Sequence, residues 1–264
     1  MIKLFVSDMD GTFLDENSQV PKDFEQFLDE IENNDKHFVL ASGRSLYNMK
    51  DKVKDYQHRL DFVSDNGAFV SVNGQTIYKN VMDKGIIHEL IAFGLTLPNT
   101  SIILIGEHKA YVKAASRDHD VYLNEYYHGY EALDSLHHVD QEIVKVTYLN
   151  TNDMHEYYYD RIHPKFENDV NIVLAGEVWV DAMNPGINKK SGLDYIVEHY
   201  NLKYDEIAAF GDYHNDIDML KAVGHSFAVS NAHPDVIEIV DEIIGSNKDN
   251  AVLNTIRSLI HEKG

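Results

Sequence analysis

Short apolar runs, each ending in small polar or acidic residues, constrain the fold of this chain more than any other feature of its sequence. The runs are too short for helices, and they lack the alternation expected of strands with one solvated face. Runs of this kind are typical of strands buried on both faces, as in a parallel sheet covered by helices. The sequence therefore predicts a parallel sheet whose polar side chains gather where the strands end. The runs are Ile2–Val6, Phe38–Ala41, Phe62–Val63, Ile207–Phe210 and Phe227–Val229.

Between these runs, apolar residues recur at the spacing that places them on one face of a helix. Pro21 is predicted to open the first helix, because proline is favoured in the first helical turn. Strands that alternate with helices favour a doubly wound, Rossmann-like α/β sheet, whose ligands lie beyond the carboxyl ends of the strands. The apolar helix positions are Phe24, Phe27, Leu28 and Ile31; Leu193, Ile196, Val197 and Tyr200; and Val252, Leu253, Ile256 and Leu259.

The middle of the chain follows a different pattern, in which strand-like segments are joined by short turns. Ala175-Gly176-Glu177 separates two such segments and indicates a β-hairpin. Hairpins are not expected inside a doubly wound core. We therefore interpret residues 83–183 as an inserted α+β domain, and residues 1–82 and 184–264 as the core that it interrupts. The predicted strands of the insert are Ser101–Ile105, Ala110–Lys113, Ile143–Leu149, Ile172–Leu174 and Val178–Val180.

The charge and composition of the chain restrict its partners and its chemistry. The formal net charge is −21, which disfavours binding to nucleic acid or anionic membranes, since both need clustered Lys and Arg. There is no cysteine, so disulfides, thiolate zinc sites and cysteine nucleophiles are excluded. The first apolar run is too short for a signal peptide, and no stretch is long enough to span a bilayer. We expect a cytoplasmic protein.

Two carboxylates directly follow the first apolar run, in the segment Asp8-Met9-Asp10-Gly11-Thr12. On a strand they would point to opposite faces, whereas in a loop they can converge. Asp8 could then attack phosphorus and form an acyl phosphate, and Asp10 could exchange protons with the leaving oxygen and with water. Taken alone, the segment is equally consistent with an Asp- and Gly-rich turn that has no catalytic role.

A second acidic segment follows the fourth apolar run. Asp212 can join Asp8 at the ends of neighbouring strands and bind Mg²⁺, which prefers carboxylate oxygens. Asn215 offers an amide donor, and Asp216 can orient a lysine such as Lys189. Capping of a helix N-terminus by these residues is an alternative that is compatible with the first interpretation.

Two further segments carry groups that can hold phosphate. Ser42-Gly43-Arg44 ends the second apolar run, where a hydroxyl and a backbone amide can bind phosphate oxygens. Lys189 precedes a predicted helix, and its compact ammonium group suits a phosphoryl oxygen. Each feature alone is better explained as an ordinary turn or a surface lysine, so the assignment depends on their combination.

Some residues suggest sites that we do not expect. His119 lies between Asp118 and Asp120, but three adjacent residues rarely converge on one metal ion, so a solvated loop is expected. The only tryptophan, Trp179, is expected to pack within the insert rather than bind a ligand. The same expectation holds for the pair Tyr126-Tyr127.

Four of the segments described above occur in a fixed order along the chain, with two shorter signatures between and after them. They are Asp8-Met9-Asp10-Gly11-Thr12, Ser42-Gly43-Arg44, Asn66-Gly67-Ala68, Pro185-Gly186-Ile187-Asn188-Lys189, Gly211–Leu220 and Ser230-Asn231-Ala232. Together they resemble the haloacid dehalogenase superfamily, and specifically its Cof-type phosphatases with a type IIB cap. The resemblance covers nearly the whole chain, and a chance match of four motifs in order is far less probable than a match of one.

The resemblance implies a role for each matching residue. Asp8 would be the nucleophile and a Mg²⁺ ligand, Asp10 the acid/base with its carbonyl oxygen on the metal, and Asp212 the third protein ligand. Thr12, Arg44 and Asp216 would support the site, and the insert would be the cap that closes over the substrate. The phosphate would be held by Ser42, Lys189 and Asn215, with the backbone amides of Met9 and Gly43.

The resemblance also implies the reaction, the hydrolysis of small phosphorylated metabolites such as sugar phosphates through an aspartyl-phosphate. A phosphomutase is one alternative, because capped relatives use the same aspartate to move phosphate between hydroxyls. A non-catalytic sensor of phosphorylated metabolites is another, although a pure binder has no need of the proton-transfer group Asp10. Departures from the family pattern are small: Lys190 replaces a frequent glycine, and Tyr213 and His214 occupy variable positions.

Overall fold

The computed structural model describes residues 1–261 and divides into two compact units. The first contains residues 1–43, residues 49–78 and the chain from Asn188 onward, and the second contains residues 44–48 and 79–187. The insert predicted from the sequence spans residues 83–183. The interpretation of this insert as a substrate cap stays a prediction.

The strands are numbered in chain order across both units. They are β1 Leu4–Asp8, β2 His37–Ala41, β3 Asp61–Ser64, β4 Phe69–Val72, β5 Gln75–Lys79, β6 Ser101–Ile105, β7 Ala110–Lys113, β8 Glu131–Ala132, β9 Lys145–Leu149, β10 Asn171–Leu174, β11 Trp179–Met183, β12 Ile207–Gly211, β13 His225–Val229 and β14 Glu242–Ile244.

The helices are numbered in the same way. They are α1 Phe24–Asn33, α2 Leu46–Val53, α3 Lys84–Gly94, α4 Asp120–Tyr127, α5 Met154–Tyr157, α6 His163–Phe166, α7 Lys189–His199, α8 Ile217–Ala222, α9 Pro234–Ile237 and α10 Ala251–His261. The first helix begins at Phe24, so the prediction that Pro21 opens it is wrong: the carbonyl of Pro21 instead accepts the Phe24 N–H, in the turn before the helix. No helix within residues 1–261 combines the length and apolarity needed to span a bilayer.

The first unit is built on an eight-stranded sheet in the order β14-β13-β12-β1-β2-β3-β4-β5. Pairing is parallel from β14 through to β3 and becomes antiparallel between β3 and β4. Strands β1 and β12 are buried along their whole length, as strands covered on both faces should be. The predicted doubly wound parallel sheet is confirmed. The strands β4, β5 and β14, which lie towards its two edges, were not predicted.

The second unit contains a six-stranded sheet in the order β10-β11-β9-β6-β7-β8. Its pairs are antiparallel except that of β7 with β8. The predicted hairpin is present as β10 and β11, and the strand predicted from Ile143 begins at Lys145. Trp179 packs edge-on against Tyr122, Tyr126 and Tyr127, in agreement with a packing role.

His119 differs from its prediction. It is fully buried in the second unit, and its Nδ1 lies 2.7 Å from Oγ of Ser101 on β6. Its Nε2 is buried without a hydrogen-bond partner among residues 1–261. The flanking aspartates are polar enough to suggest a solvated loop, but a short helical turn directs the imidazole inward while leaving Asp118 exposed.

Candidate active site

The candidate site lies at the carboxyl ends of the central strands of the first unit. Strand β1 pairs in parallel with β12 on one side and with β2 on the other. Parallel strands end at the same edge of a sheet, so Asp8, Ser42 and Asp212, which end or follow these three strands, are brought to one edge. Each of the four sequence motifs contributes residues to the first unit, although the motifs are far apart along the chain.

A buried ammonium group links two of the predicted carboxylates. Nζ of Lys189 donates to Oδ1 of Asp8 at 2.5 Å and to Oδ1 of Asp216 at 2.6 Å. Lys189 and Asp216 are fully buried, and Asp8 is 6% exposed. A charge taken out of water must be paired, so the interpretation of Lys189 as a free surface lysine is wrong. The contact with Asp216 agrees with the prediction that this carboxylate orients the lysine.

Burial and repulsion set the protonation of these groups. Burial raises the pKa of Asp8 well above its usual value; Lys189 opposes this shift, whereas the neighbouring carboxylates, led by Asp216, add to it. Burial and the charge of Asp216 raise the pKa of Asp212 to about 6. Burial acts to lower the pKa of Lys189, but Asp216 and Asp8 raise it above its usual value. The lysine alone does not balance three carboxylates, so the cluster favours an additional cation.

The donor atoms fit a hard divalent cation. Carboxylate oxygens of Asp8, Asp212 and Asp216 lie within 4.8 Å of one another. Oδ1 of Asp216 accepts Lys189, and its Oδ2 accepts the backbone N–H groups of Asp212 and Tyr213 at 3.0 and 3.2 Å. Both oxygens of Asp216 therefore accept hydrogen bonds from the protein, and this carboxylate orients Lys189 and the Asp212 loop.

Asp8 and Asp212 each have an oxygen to offer a metal ion. Oδ1 of Asp8 accepts Lys189, and Oδ1 of Asp212 accepts the Thr12 hydroxyl at 2.9 Å, which leaves Oδ2 of each carboxylate without a hydrogen-bond donor within residues 1–261. Two carboxylates completed by phosphate and water are the usual environment of Mg²⁺. The contact of Thr12 gives this residue a supporting position, because it fixes the orientation of Asp212.

The second motif carboxylate, Asp10, lies in a wide turn over Met9–Phe13 that follows β1. Within it, Asp10 has an extended conformation and Gly11 has a φ of 79°, a value that favours glycine. A Cβ at residue 11 would lie 2.5 Å from Oδ2 of Asp212, so a side chain there would intrude on the carboxylate. The turn interrupts the strand alternation, which allows both aspartates to serve one site.

Two asparagines that had no predicted role hold the loops of the site. Oδ1 of Asn66 accepts from Nδ2 of Asn215 at 3.0 Å, and its backbone N–H donates to the carbonyl of Ser42 at 3.0 Å. Nδ2 of Asn231 donates to the carbonyl of Gly11 at 2.8 Å and so fixes the turn that carries Asp10. Both asparagines belong to the short signatures that follow buried strands. Their position at strand ends was the one feature of the sequence that could have indicated a role in the site.

The remaining residues predicted to bind phosphate or support the site belong to different units: Met9, Ser42 and Gly43 to the first, and Arg44 to the second. Met9 and Ser42 are buried in the first unit, and a Cβ at Gly43 would approach Asn66 at 3.3 Å. Arg44 donates to Oδ1 of Asn48 at 2.8 Å, and its guanidinium lies 5.2 Å from the ring centre of Tyr126, both within the second unit. Arg44, the last residue of the predicted motif Ser42-Gly43-Arg44, therefore contacts residues of the second unit, and its predicted supporting role stays a prediction.

Comparison with known proteins agrees with the geometry. A family model described as haloacid dehalogenase-like hydrolase matches residues 5–256. The chain is 28% identical to 5-amino-6-(5-phospho-D-ribitylamino)uracil phosphatase YbjI of Escherichia coli K12, over 99% of this chain and 97% of that protein. It is 27% identical to the putative phosphatase YkrA of Bacillus subtilis 168, over 97% of each. A crystal structure from Streptococcus mutans UA159 superposes with a TM-score of 0.88 at 26% identity, over 98% of this chain and 99% of that one.

Proposed function

The chain belongs to the haloacid dehalogenase-like hydrolases, and we propose that it is a magnesium-dependent phosphatase that hydrolyses small phosphorylated metabolites through an aspartyl-phosphate on Asp8. The observation that carries the proposal is the position of Asp8, at the end of the central strand and in contact with the buried Lys189. The names of the relatives, which are phosphatases, support the same reaction class.

In the proposed first step, a carboxylate oxygen of Asp8 attacks phosphorus. A phosphorus–oxygen bond to Asp8 forms, the ester phosphorus–oxygen bond breaks, and Asp10 gives its proton to the departing oxygen. In the second step Asp10 takes a proton from water, and the resulting hydroxide attacks phosphorus. Inorganic phosphate leaves, and the carboxylate of Asp8 is restored.

The other residues hold the reacting group in line. Lys189, released in part from Asp8 by the incoming phosphate, would bind a phosphoryl oxygen, together with Ser42, Asn215 and the amides of Met9 and Gly43. Because phosphoryl transfer depends mainly on alignment and electrostatic stabilisation, these contacts supply much of the catalysis. When bound to Asp8, Asp212 and the carbonyl of Asp10, Mg²⁺ would neutralise charge on the phosphoryl oxygens.

Replacement of Asp8 by asparagine tests the proposal. The amide has nearly the same shape but cannot attack phosphorus, so Asp8→Asn should reduce phosphate release from para-nitrophenyl phosphate by about 10³-fold or more. The matched control is Asp29→Asn, which changes an exposed aspartate of the first unit. Turnover of purified Asp8→Asn close to that of the control would remove Asp8 from its role.

The substrate class follows from the relatives only as a proposal. Sugar phosphates and related metabolites are the general class, and the name of the Escherichia coli relative adds a phosphorylated ribitylaminouracil as a specific candidate. Phosphate release should be compared over a panel that contains this compound, hexose phosphates and nucleotides. Selective hydrolysis of a member of this panel would identify the class, and no hydrolysis of any monoester would contradict the proposal.

A further inference from the structure

Two histidines and an aspartate meet on the surface of the first unit, outside the phosphatase machinery. Nε2 of His214 lies 2.9 Å from Oδ2 of Asp235, and Nδ1 of His233 lies 3.5 Å from the same oxygen. One donor atom from each residue falls within 4.8 Å of the other two. The proposed reaction gives none of these three side chains a role.

The three side chains converge in a way that a simple surface ion pair does not require. A single imidazole is enough to pair with a carboxylate, yet here two rings approach one oxygen, with ring centres 4.3 Å apart and planes inclined by 54°. Around a tetrahedral zinc ion with bonds of 2.0–2.2 Å, neighbouring ligand atoms are about 3.3–3.6 Å apart. The distances from Oδ2 of Asp235 to the two imidazole nitrogens, 2.9 and 3.5 Å, are close to this spacing. Small side-chain rotations would therefore bring the three donor atoms around one ion.

The backbone places the cluster on two loops. His214 follows β12 on the loop that carries Asp212, whereas His233 and Asp235 stand at the start of α9. The two loops are joined where the His233 N–H donates to the carbonyl of Asp212 at 2.8 Å. The side chains are 45%, 36% and 62% exposed for His214, His233 and Asp235, so an ion can reach them from solvent.

One contact opposes metal binding. Nδ1 of His233 accepts the backbone N–H of Asp235 at 3.2 Å, and an ion on that nitrogen would replace this hydrogen bond. A single neutral hydrogen bond contributes little net stability, because water replaces it when it is broken. Three zinc–ligand bonds can therefore outweigh the loss of this one contact.

We propose that His214, His233 and Asp235 form a binding site for a divalent transition-metal ion, with zinc the best match, separate from the site of Asp8 and Asp212. Two imidazoles and one carboxylate are ligands that zinc accepts readily, whereas Mg²⁺ prefers oxygen alone. Water or an external ligand would fill the fourth position. The net charge of −21 also favours the approach of cations. A bound ion would tie the Asp212 loop to the start of α9.

Zinc titration of the full chain in saturating Mg²⁺ tests this proposal, because Mg²⁺ then occupies the oxygen site. We expect one zinc ion to bind per chain by calorimetry, and zinc to raise the midpoint of thermal unfolding. His214→Gln and Asp235→Asn should each weaken zinc binding by about tenfold or more and reduce the thermal shift. The matched control is His138→Gln, which removes an exposed histidine of the second unit.

Cobalt provides a second readout that does not depend on activity. Co²⁺ in a site with two imidazoles should give a visible ligand-field spectrum that the His214→Gln variant loses and the His138→Gln variant keeps. Equal zinc affinity in wild type, His214→Gln and Asp235→Asn would overturn the proposal. So would zinc binding that disappears once Mg²⁺ is saturating, because the ion would then belong to the site of Asp8 and Asp212.

Discussion

At the scale of single residues, Lys189 shows how much a fold can add to a weak sequence pattern. The sequence around it is equally typical of a surface lysine, whereas in the structure its ammonium group is fully buried between Asp8 and Asp216. Replacement by methionine would leave Asp8 and Asp216 buried without their ammonium partner, a change that costs about 3–5 kcal/mol of unfolding free energy. Urea denaturation of Lys189→Met should show this loss, together with loss of phosphatase activity.

The neighbouring lysine is a matched control. Lys190 forms an exposed pair with Asp194 at 2.9 Å, and exposed pairs of this kind contribute about 0.5 kcal/mol or less. Lys190→Met should therefore change stability little. An equal effect of the two substitutions would mean that the buried contacts of Lys189 do not stabilise the fold.

Asp10 should matter most when the leaving group needs a proton. General acid–base catalysis contributes about 10²–10⁴-fold, and an alkoxide leaving group depends on it more than para-nitrophenolate does. Asp10→Asn should therefore damage hydrolysis of a sugar phosphate more than the first step with para-nitrophenyl phosphate.

Slow hydrolysis of the aspartyl-phosphate should then produce a burst of nitrophenol followed by a slow steady state, which rapid-quench kinetics can detect. Equal losses on both substrates, with no burst, would argue that Asp10 only positions the metal. Such a result would overturn its acid/base role without removing Asp8 as the nucleophile.

At the scale of elements, the turn between β7 and α4 buries the imidazole of His119 against β6. Burial lowers the pKa of His119 below its usual value. The unfolded chain therefore binds more protons than the folded protein as the pH falls below about 6.5, and the folded state loses stability in that range.

Thermal unfolding of His119→Asn should reveal this dependence. The variant loses packing at every pH, but its unfolding midpoint should fall less than that of the wild type between about pH 7.5 and about pH 5.5. His138→Gln, which changes an exposed imidazole, should keep the dependence of the wild type. The same pH dependence in His119→Asn and wild type would show that this histidine is not responsible.

At the scale of the whole molecule, the candidate metal site combines residues from distant parts of the chain. The Thr12–Asp212 hydrogen bond joins residues that are 200 positions apart, so the site forms only when the first unit has folded. Mg²⁺ should therefore raise the unfolding midpoint of the wild type by mass action. Asp212→Asn should lose this response, and the control Asp29→Asn should retain it.

Turnover should follow the same metal dependence. A chelator should abolish phosphate release and added Mg²⁺ should restore it, while Ca²⁺ should inhibit, because it prefers more ligands and longer bonds. Full activity in excess chelator would exclude the magnesium mechanism.

Much of this organisation was predictable because its signals are local. An apolar run with polar residues at its end predicts a buried strand from a few consecutive side chains, and β1, β2 and β12 lie where such runs occur. The residue types of the motifs are compatible with attack on phosphorus and with binding of a hard cation, and their order along the chain, rather than any single residue, indicates the chemistry. The short strand β14 carries a weaker local signal, and its place depends on pairing with β13.

The apolar runs and the order of the motifs are enough to predict the class of fold, the family and the residue types of the candidate site. The pairing of charges and hydrogen bonds within that site depends on the folded chain. Lys189 reaches Asp8 across 181 positions of the chain, and Asn66 reaches Asn215 across 149. The buried imidazole of His119 likewise contacts Ser101, which lies on β6, 18 positions earlier in the chain. Such contacts depend on desolvation and on distances set by the whole sheet, and no local pattern of side chains specifies either of them.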